Sequence, residues 1–227
     1  MLNSDDWASI YLSMKLAFTS TVILLLIAIP LAMWLAFKPS NFKAVISSLV
    51  TLPLILPPTV LGFYLLLAMG PHGLVGQICL KLGIPLLPFS FSGLVIASII
   101  YSMPFVVMPI QNTFLAIGKT SLEVAATLGA APTDRIFSVL LPQAKIGIIS
   151  AAVLGFAHTV GEFGLILMIG GNIPQKTQVA AIQIYNYFEI YEYSQANHLA
   201  LFLLGFSFVV LIFVYILNHK LNPLSHN

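Results

Sequence analysis

Five apolar runs dominate this sequence. Each is long enough to cross about 30 Å of hydrocarbon as a helix, and they cover residues 16–37, 45–69, 91–116, 146–169 and 199–217. Hydrophobic residues make up 59% of the 227 positions and charged residues 7%, too few charges to cover a soluble globule of this size. The sequence therefore predicts an all-α polytopic membrane protein, a single transmembrane domain over residues 1–227 with five spans in contact with lipid. The first run is preceded by Asp5 and Asp6 rather than by a basic stretch. It is also too long for the apolar part of a cleavable signal, so it is expected to stay as a helix. The lone Cys79 excludes an intrachain disulfide framework and a thiolate metal cluster and reads as an apolar filler.

Charge placement gives the orientation. Lys38 and Lys43 lie between the first two spans, Lys119, Arg135 and Lys145 between the third and fourth, and Lys220 after the fifth, six in all. The opposite side carries three, Lys15, Lys81 and Lys176, together with Asp5, Asp6, Glu189 and Glu192. The positive excess assigns the first group to the cytoplasm. The N-terminus is then expected outside, the C-terminus inside, and residues 119–145 on the cytoplasmic face.

Residues 119–145 suit neither a spanning helix nor a plain loop and read as two short helices. Thr120 and Glu123 stand at capping-box spacing. Leu122, Ala125, Ala126 and Gly129 recur every three or four residues and form one face, small at its centre. Gly129 is expected to end that helix. Pro132 suits a first helical position with Asp134 close behind it, and Pro142 is expected to stop the second helix at Leu141. On pattern alone this is an amphipathic helix pair lying on the membrane surface.

Glu123, Ala125, Gly129 and Leu141-Pro142 also resemble, at matching spacing, the EAA signature of ABC importer permeases, with Val124 where the first of two alanines is usual. The resemblance implies a coupling helix seated in a cleft of a cytoplasmic ATPase subunit. Glu123, Ala125, Ala126, Gly129, Leu141 and Pro142 would form that contact. Two further stretches are similar to the molybdate and sulfate branch of these permeases. One is LPLILPPTVLG with Met69-Gly70-Pro71 and Gly73. The other is Gly161-Glu162-Phe163-Gly164 with Asn172-Ile173-Pro174 and Thr177, which is more like the molybdate members. The resembling region runs from about Leu52 to Thr177, and the spans at both ends match by hydropathy only.

Within the spans, Pro30 is expected to kink the first helix, which ends in the interfacial anchor Trp34, Phe37 and Lys38. Pro53, Pro57 and Pro58 remove three amide donors from the second span, with Gly62 close behind. Such a broken helix is tolerated only where its freed carbonyls face protein or a watered cavity. Pro57, Pro58 and Thr59 are therefore either pathway lining or part of a kinked packing helix. Pro104 and Pro109 predict a second broken helix beside the first, whose Ser102 and Asn112 would line a shared seam or hydrogen-bond a neighbouring helix. Residues 71–90 hold a short interfacial helix around Cys79 with Lys81 on its wet side.

His158 and Glu162 are the only ionisable residues placed well inside the fourth span, roughly 18 and 24 Å from Ile146 at the helical rise, and on one face by their spacing. Glu162 either pins a bend through His158 or the amides near Gly161 and Gly164, or touches substrate; a carboxylate would repel an oxyanion, which favours the first role. Hydroxyls and amides nearby, Thr159 included, would then serve the anion. No Lys or Arg falls inside the runs, so a permanent anion cage is not expected. The segment 178–193, rich in Tyr and Phe, reads as an interfacial helix or a shallow re-entrant loop. It serves either as a membrane belt or, through Glu189 and Glu192, as a docking surface.

No GxxxxGK[ST] loop, HExxH, CxxC or basic nucleic-acid patch occurs. The chain is expected to be no enzyme and to bind no metal or cofactor. By resemblance it is the permease subunit of an ABC importer of the bacterial inner membrane, moving molybdate, or alternatively sulfate, thiosulfate or tungstate. Its implied partners are a second permease copy in a homodimer, two cytoplasmic ATPase subunits that bind ATP, and a periplasmic oxyanion-binding protein; nucleic acid is not among them. The other class is an ATP-independent secondary transporter or channel in which His158 and Glu162 relay protons. The paired internal repeats expected of such carriers are not found.

Overall fold

The first helix, α1 (Ser4–Phe37), starts at a reciprocal cap. The Asp6 amide donates to Asn3 Oδ1 at 2.8 Å and the Asn3 amide to Asp6 Oδ2 at 2.9 Å, which satisfies two orphan donors. In this computed structural model, which describes residues 2–221 and side chains through residue 216, α1 thus begins well ahead of the apolar run at residue 16. Its 34 residues reach about 50 Å, longer than a bilayer core. Lys15 consequently lies within α1, one residue ahead of the apolar run. Its ammonium sits 4.9 Å from the centre of the Phe91 ring. The side chain of Lys220, used above for orientation, and the residues from 222 onward lie outside the described residues.

After α1 come α2 (Lys43–Ile55), α3 (Pro58–Met69), α4 (Leu74–Lys81), α5 (Phe91–Ile117), α6 (Thr120–Thr127), α7 (Pro132–Asp134) and a π-helical turn (Arg135–Leu140). The chain continues through α8 (Leu141–Val160), α9 (Gly164–Gly170), α10 (Ala180–Glu189) and α11 (Tyr193–Leu221). No strand occurs among the described residues. Among the described residues, five helical stretches are long and apolar enough to cross a membrane: Ser4–Phe37, Pro58–Lys81, Phe91–Ile117, Pro132–Val160 and Tyr193–Ile216.

Proline acts differently from helix to helix. Tandem Pro57-Pro58 holds Leu56 and Pro57 extended, at ψ 134° and 137°, and separates α2 from α3. With 13 and 12 residues, these helices reach about 20 Å each and neither crosses alone. The expectation of a broken third span is corrected, because α5 runs unbroken through Pro104 and Pro109. Each isolated proline deletes one amide donor, and α5 is clasped by α1, α2, α8 and α9, which pack around it as it continues across the gaps.

Helix α5 is the centre of the bundle. Its buried Leu94, Ala97, Val106, Ile110 and Phe114 share one core with Leu24, Ala28, Ala32 and Leu35 of α1. The α1 residues recur every three or four positions, so they form a single stripe whose alanines let the two backbones close up. Helix α8 approaches α5 through Gly147 and Gly155, two turns apart. A Cβ at the first would run into the Thr113 side chain and at the second into Val106 Cγ2.

At the opposite end, α10 is tied to α1 by polar groups. The Tyr187 hydroxyl donates to Asp6 Oδ1 at 2.9 Å and accepts from Asn3 Nδ2 at 2.9 Å, and the Ala180 amide donates to Ser13 Oγ at 2.8 Å. Asp6 is completely buried there, and burial holds the Tyr187 phenol above its usual range. Residues 180–189 are thus an amphipathic helix whose inner face carries Ile182, Gln183 and Tyr187. Helix α11 packs on α8 and α10 at the edge of the bundle and buries little of its surface.

Candidate functional site

The segment after α5 turns at Gly118, where φ is 71°. Lys119 is already helical at φ −89° and ψ −19°, so Thr120 enters α6 as its first residue instead of standing extended before it. The expected capping box is therefore absent: α6 has no side-chain cap, because a capping residue needs extended backbone. Its other end follows the expectation closely. The Gly129 amide donates to Ala126 O at 3.0 Å and the Ala130 amide to Ala125 O at 3.0 Å, with Gly129 at φ 84°. This is a Schellman ending, which satisfies two orphan carbonyls.

Leu122 turns in to the core, whereas Glu123 and Ala126 are exposed and Ala125 is half-buried. Val124 and Leu128 stand out at 53% and 82% exposure. With Ala125, Val139 and Gln143 they surround a shallow depression of about 390 Å³. Ser121 Oγ donates to Gln143 Oε1 at 3.4 Å and links α6 to α8. Within this chain a Cβ at Gly129 would meet nothing within 4 Å, so the fold itself does not need a small residue there for space. Its requirement is conformational. Exposed Leu128 and Phe137 were not singled out by pattern; the signal available was an unpaired large apolar residue beside each turn.

Pro142 does not end a helix. Helix α7, the π-turn and α8 run on as one helical stretch, Pro132–Val160, with the Leu141 amide donating five residues back to Ile136 O. The widened turn immediately before Pro142 makes room for its ring and absorbs the missing donor. Leu141 and Pro142 thus form the joint between the short helices and the long one.

The second set of residues surrounds two helix breaks. Helix α8 ends at Gly161, and α9 starts at Gly164. A Cβ on Gly164 would lie 3.4 Å from Pro58 Cβ and 3.7 Å from Thr59 Cγ2, and one on Gly62 would lie 2.8 Å from Met168 Cβ. The starts of α3 and α9 therefore abut. Glu162 is buried and its Oε1 accepts from the Leu165 amide at 2.9 Å, which satisfies one orphan donor at the start of α9. Helix α3 has no side-chain cap, and Thr59 and Pro57 are exposed.

His158 and Glu162 do not share a face, because the helix carrying His158 stops before Glu162 is reached. His158 turns to Ser102 instead, at 3.0 Å from Nδ1 to Oγ, and its ring stacks on Phe105 with centroids 3.9 Å apart. The proton order of this chain can be deduced. Thr159 Oγ1 donates to Gly155 O at 3.0 Å. A hydroxyl has one proton, so Ser102 must be the donor in its 3.0 Å bond to Thr159. Ser102 then accepts from His158, whose Nδ1 carries hydrogen. Ser102 and Thr159 are buried and committed to tying α5 to α8, so of the predicted pathway hydroxyls Thr59 alone is exposed.

Residues 28–223 match the family described as "Binding-protein-dependent transport system inner membrane component". A molybdenum transport system permease protein, ModB, of Azotobacter vinelandii is 56% identical over 94% of this chain and 95% of its own. A probable sulfate transport system permease protein, cysT, of Zygnema circumcarinatum is 33% identical over 78% of this chain and 60% of its own. Among solved structures, a bacterial alginate ABC transporter chain superposes with a TM-score of 0.75 at 18% identity, covering 99% of this chain and 81% of that one.

Proposed function

Because the chain belongs to the family of binding-protein-dependent transport system inner membrane components, we propose that it is the permease subunit of an ABC importer that carries molybdate from periplasm to cytoplasm across the bacterial inner membrane. The observation that carries the substrate is the 56% identity, over nearly the full length of both chains, to a relative named for molybdenum transport. The 33% identity to a sulfate permease makes sulfate the second reading. Choice between the two falls to a periplasmic oxyanion-binding protein, since with Glu162 buried the polar groups left at the α3–α9 breaks are hydroxyls and amides that suit brief contact rather than tight capture.

Two cytoplasmic ATPase subunits bind and hydrolyse ATP, while this chain holds no cofactor. They engage Glu123, Ala125, Ala126 and the exposed Val124 and Leu128 on α6. The stroke then travels along the Pro132–Val160 helix, 29 residues or about 43 Å of rod, through the Leu141-Pro142 joint to the break at Gly161. A second copy of the chain covers exposed Phe63, Tyr64 and Leu67 of α3 and brings two sets of breaks together around one passage. Pro57, Pro58 and Thr59 line it. Glu162 fixes the bend rather than meeting the anion. Among the described residues no hydrogen bond joins His158 to Glu162, which counts against a proton relay between them.

The test is oxyanion uptake into proteoliposomes holding the permease, its ATPase and its binding protein. Uptake of molybdate is expected to require ATP and to continue when the proton gradient is collapsed. Uptake that ignores ATP and needs the gradient would overturn the proposal, and sulfate carried in preference to molybdate would move it to the second reading. Orientation is tested in a Cys79→Ala background. A cysteine at Thr133 should be shielded from an impermeant thiol reagent in intact cells and one at Glu192 should react.

A further inference from the structure

A groove of about 410 Å³ lies between the end of α1 and the turn that leads into α8. Its wall along α1 is apolar, from Pro30 through Trp34 to Phe37, and across from it stand Arg135 and Ile136. Lys38 also lines the groove. From Pro30 to Lys38 the groove follows eight residues of helix, about 12 Å, starting at an interfacial tryptophan and lysine and leading toward the hydrocarbon. Its only charged lining groups are two cations.

We propose that this groove binds one anionic phospholipid, its phosphate between Arg135 and Lys38 and one acyl chain along Pro30, Trp34 and Phe37. The guanidinium fork of Arg135 suits phosphate geometry, and Lys38 adds a second positive group to the same lining. A free inorganic anion would answer the charge but leave the apolar wall bare. An uncharged lipid would cover the wall and leave the two cations without a counter-charge. Both halves of the site are met only by an amphiphile with a negative head. The lipid would touch α1 on one side and the π-turn on the other, so it would bridge the membrane bundle and the segment assigned to the ATPase. The proposal does not depend on which oxyanion is carried.

Trp34 reports on the site directly. The chain has two tryptophans, and Trp7→Phe leaves Trp34 as the sole fluorophore. The full chain is reconstituted in phosphatidylcholine vesicles containing phosphatidylglycerol, with the acyl chains of one lipid or the other brominated to quench. Brominated phosphatidylglycerol is expected to quench Trp34 more than brominated phosphatidylcholine at equal mole fraction, with a preference of roughly fivefold per cation. Lys38→Gln and Arg135→Gln should each remove about that factor, and Arg135→Lys should keep most of it. Quenching by brominated phosphatidylcholine, unchanged across the variants, shows that Trp34 is still at the interface and the protein still folded. Equal quenching by the two lipids, or a preference that survives the double substitution, would overturn the proposal. So would a preference abolished by millimolar inorganic phosphate, which marks a free-anion site, and weak quenching by both lipids, which marks a groove covered by another protein chain.

Discussion

The α3–α9 breaks and the α6 elbow are both places where a helix is interrupted, and they are built in opposite ways. At the breaks the interruption is internal. Glu162 is buried, its carboxylate caps the next helix, and glycines at 62 and 164 bring two backbones into contact. At the elbow no residue of α6 or α7 is buried, and the turn is closed by the Schellman hydrogen bonds around Gly129. Buried polar groups must find their partners within the chain, so the breaks carry their own stabilisation. The elbow leaves large apolar residues bare, as expected of a surface that is completed by another subunit. The helix ends at the breaks are held within the chain, whereas the exposed face of α6 is not covered by it.

If that contrast holds, the largest loss of stability comes from enlarging the contact between the breaks. Gly62→Leu places a Cβ 2.8 Å from Met168 Cβ before its remaining atoms are counted. Met168 can swing its outer side chain away but not its Cβ, so α3 and α9 must separate. The expected cost is about 3 kcal/mol, read as a lower melting temperature in detergent together with loss of transport. An unchanged melting temperature would mean that the two helix starts are not packed in the working protein.

Glu162 comes next. Glu162→Ala leaves the Leu165 amide buried without its acceptor, at a cost of about 2 kcal/mol. Glu162→Gln keeps an acceptor oxygen at the same reach and should retain most of the stability and most of the ATP-driven uptake. Collapse of uptake in the Gln variant with its stability intact would assign the carboxylate a protonic or ligand role and remove it from the list of structural caps.

Much of this contrast could be read from the sequence, and the misreadings have local causes. The tandem prolines announced the α2–α3 break because two adjacent constraints leave no helical alternative. Pro104, Pro109 and Pro142 did not act alike: one missing donor can be carried by a clasped helix or a π-turn, and neither neighbour shows in a linear pattern. Glu162 as a bend-fixing group followed from the two flanking glycines. Its shared face with His158 did not survive, because helical spacing is meaningless across Gly161. Asp6 looked like a loop charge, yet it is fully buried through a bond to Tyr187, a partner 181 residues away. The exposure of Leu128 and Phe137 was hidden for the same reason, since an apolar residue in a membrane protein reads as buried until the fold shows that nothing covers it.

The smallest change in stability is expected at Gly129, and it sharpens the contrast most. Its φ of 84° lies in the left-handed region, where a Cβ costs about 1 kcal/mol. There is no clash to add, because a Cβ would meet nothing within 4 Å. Gly129→Ala and Gly129→Leu should therefore cost nearly the same in melting temperature, and little. The elbow is surface, however, and its shape is what the ATPase subunits are proposed to grip. A residue that pulls the turn out of the left-handed region loosens the bonds to Ala125 and Ala126 and re-aims Leu128 beside them. Stimulation of ATP hydrolysis by the binding protein should then fall severalfold in both variants, while the isolated permease melts close to the wild-type temperature. A large loss of stability with normal stimulation per folded molecule would reverse the assignment: the elbow would be the self-completed region, and the surface that meets the ATPase would have to lie elsewhere on the same face.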